Sequence, residues 1–266
     1  MILATHGILK PLTTSYDPDA QAFFTAAGIT DTTQKNAWNQ AVLSLKSNSL
    51  WTKFIALYPF IGGTATTHKY NAKDPQDLDT SFRIVFSGSI THDANGVTGN
   101  GTNGYGNTKI VPSTNFSLNN SSGFIYSRTN VAGGYVDFGV IKSGAPQDRF
   151  QINIRNATNL FNTACNSITI TGNANSNSQG LFGISRTSSI GYSQSNNTTQ
   201  TSVTDVSSVL NANEMAIMAV NSGGTIANYS IRNYSFACFG SGLTDAECDT
   251  LYTIIQTYQT TLGRQV

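Results

Sequence analysis

Charged side chains are scarce in this 266-residue chain. Asp, Glu, Lys and Arg together make up 11% of the residues, against roughly a quarter in ordinary soluble domains. The formal net charge is +1, and the Lys and Arg residues are scattered. A nucleic-acid-binding protein needs a basic stripe that neutralises phosphates, so this class is excluded. Charged helical bundles and coiled coils are excluded as well, because Glu, Lys, Ala and Leu are too few.

Long apolar runs and regularly spaced cysteines are also missing. No apolar run approaches the roughly 20 residues that a transmembrane helix needs, so we expect no membrane insertion. The first ten residues lack the basic start and unbroken apolar stretch of a secretory signal, so we expect synthesis in a reducing cytoplasm. Neither the number nor the spacing of Cys165, Cys238 and Cys248 fits a disulfide framework or a zinc motif, so we expect free thiols.

Neutral polarity takes the place of charge. Thr, Ser and Asn number 34, 28 and 27, and 14 Phe, 11 Tyr and 2 Trp exclude a disordered chain. After residue 80, short segments alternate apolar and polar residues between turns rich in Gly and Asn. These segments are 81–86, 123–128, 134–140, 149–155, 167–171, 181–186, 188–193, 199–204, 215–220 and 229–239. The pattern predicts two packed antiparallel sheets, and no strand–helix–strand alternation indicates a parallel sheet.

Apolar residues at helical spacing occur before and after the predicted sheets. They predict helices over 18–28, 32–47 and 244–262, with a third short helical piece over 50–58. Thr244 and Glu247 form a capping box at the start of the last helix. Residues 1–16 are interpreted as an extended arm that packs on its own domain or docks on a partner. We therefore predict an N-terminal arm and helical attachment region over 1–78 and a sandwich with its closing helix over 79–266.

The residues that usually carry catalysis are isolated in this sequence. His6, His68 and His92 have no second His or Cys at ligand spacing, so we expect them to be solvent-facing or hydrogen-bonding residues. The Gly-rich stretch 96–106 lacks the Lys and the following helix of a phosphate loop, and is interpreted as β-turns. We expect no catalytic residue, no metal ligand and no cofactor.

Carboxylates are too few for the usual chemistry of glycoside cleavage, which needs a facing pair. Glu247 belongs to a helix cap, and Glu214 lies in a polar loop. Asp74, Asp77 and Asp79 lie close together in a turn, where a solvated loop is the main interpretation and calcium ligation the alternative.

Sugar binding makes smaller demands. Aromatic faces stack on sugar rings, and Asn side chains bond to hydroxyl groups. Asn103, Tyr105 and Tyr192, with the loop 193–200, are the candidate ligand-binding residues because they are predicted to lie on turns. The alternative interpretation is that they are solvent-facing turn residues.

Three stretches resemble known phage proteins. Residues 96–116 read GVTGNGTNGYGNTKIVPSTNF and resemble the early part of concanavalin A-like, laminin G-like jelly rolls in phage proteins. Residues 236–266 resemble the last strand and closing helix of such domains in tailed-phage structural proteins, and 50–74 resemble a segment upstream of the sandwich in phage fibre-type proteins. The resemblance implies a mainly β, concanavalin A-like antiparallel β-sandwich (jelly roll) with an N-terminal helical leader and a C-terminal helix.

The same resemblance implies a function. It indicates a non-enzymatic surface protein of a phage virion, in a head fibre, a tail fibre or a related decoration, made in the host cytoplasm. Such proteins attach to other virion proteins of the capsid or tail through the N-terminal region, are often homotrimers, and display a lectin-like domain for adhesion to a host-surface glycan. Enzymes of this fold type commonly carry a Glu-x-Asp-x-x-Glu strand, which is absent here. The alternatives are a carbohydrate-binding receptor module and a glycan-cleaving enzyme.

Overall fold

The computed structural model describes residues 15–266. Residues 1–14, with most of the predicted arm and His6, lie outside the described part. The described residues form five α-helices, and two of them are single turns. In chain order they are α1 Pro18–Ala27, α2 Thr32–Ser47, α3 Ala65–His68, α4 Pro112–Asn115 and α5 Asp245–Thr261.

Residues 15–266 also contain seventeen strands. They are β1 Phe54–Tyr58, β2 Val85–Ser87, β3 Ile90–Asp93, β4 Gly96–Gly99, β5 Tyr105–Asn107, β6 Ser121–Ser127, β7 Phe138–Ile141, β8 Arg149–Asn153, β9 Leu160–Ser167, β10 Thr171–Ala174, β11 Gly180–Arg186, β12 Gly191–Asn196, β13 Thr199–Thr204, β14 Ala216–Ile217, β15 Val220–Ser222, β16 Thr225–Ala227 and β17 Asn233–Gly240.

The strands form two sheets. The first sheet has the order β13-β12-β11-β6-β17-β4-β3, and β1 pairs with β17 beyond the end of β4. The second sheet has the order β10-β9-β8-β7-β14-β5-β2, with β15 and β16 attached at β7. Every strand pair is antiparallel except β15 with β7. The predicted fold class, an antiparallel sandwich flanked by helices, is confirmed.

Two hydrophobic cores separate three layers, which are the helices, the first sheet and the second sheet. One core lies between the sheets, where Ile125, Phe239 and Phe138 are fully buried. The other lies between the first sheet and the helices α1, α2 and α5, with Trp38 and Phe236 at its centre. The two sides of the first sheet are therefore covered, one by the second sheet and one by helices. The second sheet keeps one outer face that no described helix covers.

Part of the chain before residue 79 belongs to the sandwich, because strand β1 pairs with β17. The predicted helical piece over 50–58 is wrong: Trp51–Lys53 is a single 3₁₀ turn, and Phe54–Tyr58 is strand β1, paired with β17. The apolar run at this point is buried on both faces, which is typical of a strand between two layers and is hard to separate from a helix by periodicity. The division of the chain at residue 78 stays a prediction.

Most of the other helices and strands agree with the predictions made from residues close together in the sequence. The helices predicted over 32–47 and 244–262 are confirmed, and Thr244 and Glu247 form the expected capping box. The strand predicted over 167–171 is wrong, because this segment is the connection between β9 and β10. All three cysteines are free and buried, as expected. Within residues 15–266, no helix combines the length and apolar character needed to cross a membrane.

Candidate functional site

The turn before β5 places one of the predicted ligand-binding residues. The Oδ1 atom of Asn100 accepts hydrogen bonds from the backbone N–H groups of Thr102, Asn103 and Gly104 at 2.9–3.0 Å. Asn103 in turn accepts from Ser89 N–H at 3.1 Å and from the Asn100 amide at 2.8 Å. The Asn103 side chain is thus engaged in holding the turn that leads into β5.

Tyr105 stands on the outer face of the second sheet. A Cβ atom on its neighbour Gly106 would lie 2.7 Å from Ile84 and 2.9 Å from Ile217, two core residues, so Gly106 faces inward. Because strand residues alternate between faces, Tyr105 faces outward. Its ring lies 6.3 Å from the ring of Tyr229, and both rings are partly exposed. Together they form a small aromatic surface next to the edge of the sheet.

Tyr192 does not lie on a turn, so this part of the sequence prediction is wrong. It belongs to β12, is only 4% exposed and packs in the core between the sheets. Its hydroxyl lies 2.8 Å from Thr163 Oγ1 and donates to the Thr163 carbonyl at 3.1 Å. Burial raises the pKa of this phenol well above its ordinary value. Tyr192 therefore joins the two sheets, and its ring offers no free face to a ligand.

A row of polar residues follows β8 on the outer face of the second sheet. Phe150 and Ile152 point into the core, so Arg149, Gln151 and Asn153 point outward. We call these three residues the β8 ladder. Successive members are about 7 Å apart along the strand. Gln151 is 6% exposed and Asn153 8%, which is low for amide side chains on a sheet surface.

Each member of the β8 ladder has a buried polar atom without a partner. These atoms are Arg149 Nε, Gln151 Oε1 and Asn153 Oδ1, three of ten such side-chain atoms found within residues 15–266. Asn153 donates to the Gly133 carbonyl at 3.3 Å, and the Arg149 Nη atoms bond to Gln147 and Ile168. An unsatisfied buried polar atom costs about 1–3 kcal/mol. Native proteins leave few buried polar atoms unpaired, so three such atoms on one face of a single strand are unusual.

Small residues flank Gln151 on the two neighbouring strands. Gly139 on β7 and Ala164 on β9 are in register with Gln151, one on each side. A Cβ atom on Gly139 would lie 2.6 Å from the Gln151 Cβ atom, so glycine is required there by close approach. Tyr105 and Asn153 stand on β5 and β8, three strand spacings or about 14 Å apart. The aromatic pair and the ladder thus share one face.

Asp77, Asp79 and Glu214, which lie near β2 and β14, pair with cations. Lys109 Nζ lies 3.5 Å from Asp79 and 3.4 Å from Glu214. Arg83 pairs with Asp77 and Asp79 at 2.8 Å, and its hydrogen bond is the main cause that lowers the pKa of Asp79. Among the described residues, no group of three or more His, Cys, Asp or Glu side chains is placed to hold a metal ion.

A concave region lies beside the β12–β13 hairpin, which contains the predicted loop 193–200. Its cavity has a volume of about 430 Å³ and is lined mainly by hydroxyl side chains. Three of those hydroxyls bond to the protein itself: Ser185 donates to the Leu243 carbonyl, Ser188 to the Gly191 carbonyl and Ser193 to Asp245. The outer face of the second sheet, with its unbonded atoms, is the better candidate for a site.

The sequence predicts the strand that carries the β8 ladder, but it does not predict that the ladder has unpaired polar atoms. The alternation over 149–155 is enough to place Gln151 and Asn153 on the face opposite Phe150 and Ile152. Nothing in the alternation shows that their oxygen atoms lack partners, because the missing partners would have to come from β7, β9 and the loop at Gly133. The structure brings Tyr105 and the ladder to one face and leaves Tyr192 in the core.

Comparisons with known proteins support the fold. No family model matches the chain, and no curated protein matches it. A mutant sialidase of Trypanosoma rangeli that displays trans-sialidase activity has a TM-score of 0.56 and 8% identity, over 83% of this chain and 39% of that one. This chain therefore spans well under half of that sialidase, and at this identity the likeness concerns the fold alone.

Two further solved structures overlap with half of the chain. The CBM40 module of the Ruminococcus gnavus IT-sialidase, bound to α2,3 sialyllactose, has a TM-score of 0.41 and 12% identity, over 51% of this chain and 84% of the module. The NanB sialidase of Streptococcus pneumoniae has a TM-score of 0.41 and 13% identity, over 50% of this chain and 24% of the sialidase. The likeness to the Trypanosoma rangeli sialidase agrees with the predicted jelly-roll sandwich.

Proposed function

We propose that this chain is a non-enzymatic, glycan-binding protein of a phage particle surface. In this proposal the outer face of the second sheet binds the glycan, and the N-terminal region attaches the chain to other virion proteins. The particle location rests on the sequence resemblance to phage head-fibre and tail-fibre proteins. The binding role rests on the residues of the site.

The β8 ladder is the observation that carries the binding role. Sugar hydroxyl groups both donate and accept hydrogen bonds, so they match a row with two unpaired acceptors and one unpaired donor. The three atoms are buried in the unbound chain, so the proposal requires these side chains to turn outward when a glycan binds. Tyr105 and Tyr229 add an aromatic surface of the kind that packs on the apolar face of a sugar ring. The shortage of free carboxylates supports binding without cleavage, since hydrolysis commonly needs a facing pair.

A glycan array with matched variants tests the binding role. Gln151→Met and Asn153→Leu remove the free oxygens with little change of volume, and we expect the combined variant to lose binding at least tenfold. Gln194→Met is the control, because Gln194 is equally buried but is bonded to Phe161 and Thr163 across the two sheets. The array should hold neutral, acidic and sialylated bacterial-surface glycans. An array without signal for the unchanged protein contradicts the proposal.

The same glycans test the absence of cleavage. We expect no release of reducing ends after prolonged incubation of the unchanged protein with every glycan that it binds. Release that disappears in Glu214→Gln would show instead that the carboxylate beside Lys109 is catalytic.

The particle location has its own test. Antibodies against residues 79–266 should label particles in negative-stain micrographs, and antibodies against the helical leader should label them poorly if that region is attached. Mass photometry of the purified chain should show a homo-oligomer, with a trimer expected. Unlabelled particles would remove the virion role and leave the glycan-binding role standing.

A further inference from the structure

Two histidines far apart in the sequence meet at the edge of the sandwich. His68 ends α3 and is 2% exposed, and His92 belongs to β3, the edge strand of the first sheet. Their Nδ1 atoms are 3.1 Å apart. Both residues lie outside the candidate site on the second sheet, and the proposed function does not use them.

The backbone fixes which histidine donates. The Gly63 N–H group donates to His68 Nε2 at 3.2 Å, so this nitrogen carries no proton. Neutral His68 must then carry its proton on Nδ1 and donate it to His92 Nδ1. His92 is the acceptor at Nδ1 and carries its own proton on Nε2. When both rings are neutral, they hold opposite tautomers, and both the ring–ring bond and the Gly63 bond are present.

Further contacts tie this pair to several parts of the chain. Phe60 packs edge-on against His68, and Phe86 of β2 packs edge-on against His92. Arg264, near the C-terminus, donates to the Phe60 carbonyl at 2.8 Å and lies close to the Ala94 carbonyl at 3.5 Å. The leader, both edge strands and the C-terminal segment therefore meet around the two rings.

We propose that His68 and His92 form a proton-sensitive clasp that holds the leader segment 60–68 on edge strand β3 and releases it in acid. A proton added to His92 must enter at Nδ1, where it faces the Nδ1–H group of His68. A proton added to His68 must enter at Nε2, where it faces the Gly63 N–H group. Each proton replaces one hydrogen bond by a contact between two donors. A proton on His92 breaks the His68–His92 bond, and a proton on His68 breaks the Gly63–His68 bond.

The surroundings favour the neutral pair. Burial is the main cause that lowers the pKa of both histidines, and for His68 the nearby His92 and Arg264 act in the same direction. Asp93, next to His92, is the charged group that opposes the shift. Protonation therefore couples to opening, because an open segment returns both rings to water.

A metal ion between the rings fits the same geometry poorly. A ligating Nδ1 atom would have to give up its proton, which would move to Nε2 and face the Gly63 N–H group. The Gly63 contact thus selects a hydrogen bond over metal ligation at His68.

The amide of Gly63 offers a local test by ¹H–¹⁵N NMR. As the pH falls from 7.5 to 4.5, we expect its signal to shift and its exchange with water to increase at least tenfold, while the amides of β6 and β11 stay protected. In His92→Asn the amide oxygen can still accept from His68 but takes up no proton. The pH midpoint of the change in the Gly63 amide signal should then fall by about one unit, which is a tenfold change in proton affinity.

His6→Asn is the control, since it removes the one remaining histidine of the chain, and it should leave the midpoint unchanged. Long-range ¹H–¹⁵N spectra at pH 7.5 should show the Nδ1–H tautomer for His68 and the Nε2–H tautomer for His92. Two Nε2–H tautomers, or a Gly63 amide that keeps its protection until the whole protein unfolds, would overturn the clasp. So would an unchanged midpoint in His92→Asn.

Discussion

The buried polar side chains around β8 differ in how completely they are hydrogen-bonded. Toward the core, the Asp137 carboxylate accepts from Arg232 Nη1 at 2.7 and 3.0 Å, from the Tyr234 hydroxyl and from Ile154 N–H at 2.7 Å. Toward the outside, every member of the β8 ladder retains an unbonded buried atom. The buried ion pair is complete without a ligand, and the ladder is not. Buried polar groups are thus fully paired at Asp137 and incompletely paired along the β8 ladder.

The largest expected effect on stability comes from removing the cation of the buried Arg232–Asp137 ion pair. Arg232→Met leaves the Asp137 carboxylate buried without its cation, so we expect the free energy of unfolding to fall by about 3–5 kcal/mol. Urea unfolding followed by circular dichroism measures this loss. Adding Asp137→Leu to the same chain should recover part of it. A loss below 1 kcal/mol in Arg232→Met would show that the pair is not a structural element.

The next largest expected effect is a dependence of the free energy of unfolding on pH, which comes from His68. Burial lowers the pKa of His68 to about 3 from 6.5. Between these values the unfolded chain binds a proton that the native chain does not, so stability falls as the pH falls below 6.5. The loss is about 1.4 kcal/mol per pH unit. Urea unfolding at pH 7.5 and 4.5 should show a smaller difference in His68→Gln, and equal differences in both proteins would contradict the assignment.

Two buried glutamines, Gln194 on β12 and Gln151 on β8, compare a paired side chain with an unpaired one. Gln194→Met removes bonds to Phe161 and Thr163 and leaves their polar atoms unpaired, so we expect a loss of about 1–3 kcal/mol. Gln151→Met removes an atom that has no partner, so we expect no loss and a gain of up to about 1 kcal/mol. Thermal unfolding of the two variants measures the contrast. A loss of the same size in both would show that Gln151 is an ordinary structural residue.

The aromatic pair gives the smallest effect on stability. Tyr105 is partly exposed, so Tyr105→Ala should change the free energy of unfolding by about 0.5 kcal/mol or less. Glycan binding should fall about tenfold, because the ring would no longer pack on the sugar. Tyr252→Ala, on helix α5 at the opposite side of the three layers, is the matched control. Equal binding by the two variants would confine the site to the β8 ladder.

Parts of this molecule could be predicted because their signals are local. The capping box at Thr244 and the helical spacing over 32–47 depend on residues within a few positions of each other. Strand β1 could not be predicted in the same way, because its pairing with β17 joins residues about 180 positions apart. Tyr192 was misplaced for a related reason: its partner Thr163 lies on a different sheet.

The sequence by itself determined the composition of the fold. Few charges, many Thr, Ser and Asn residues, and alternating strands already required a neutral polar β protein with helices at its ends. Tertiary structure alone decided which polar residues are satisfied. Whether Gln151, Gln194, His68 or Asp137 has a partner depends on neighbours brought from distant strands, and the cost of a buried unpaired atom makes that placement decisive.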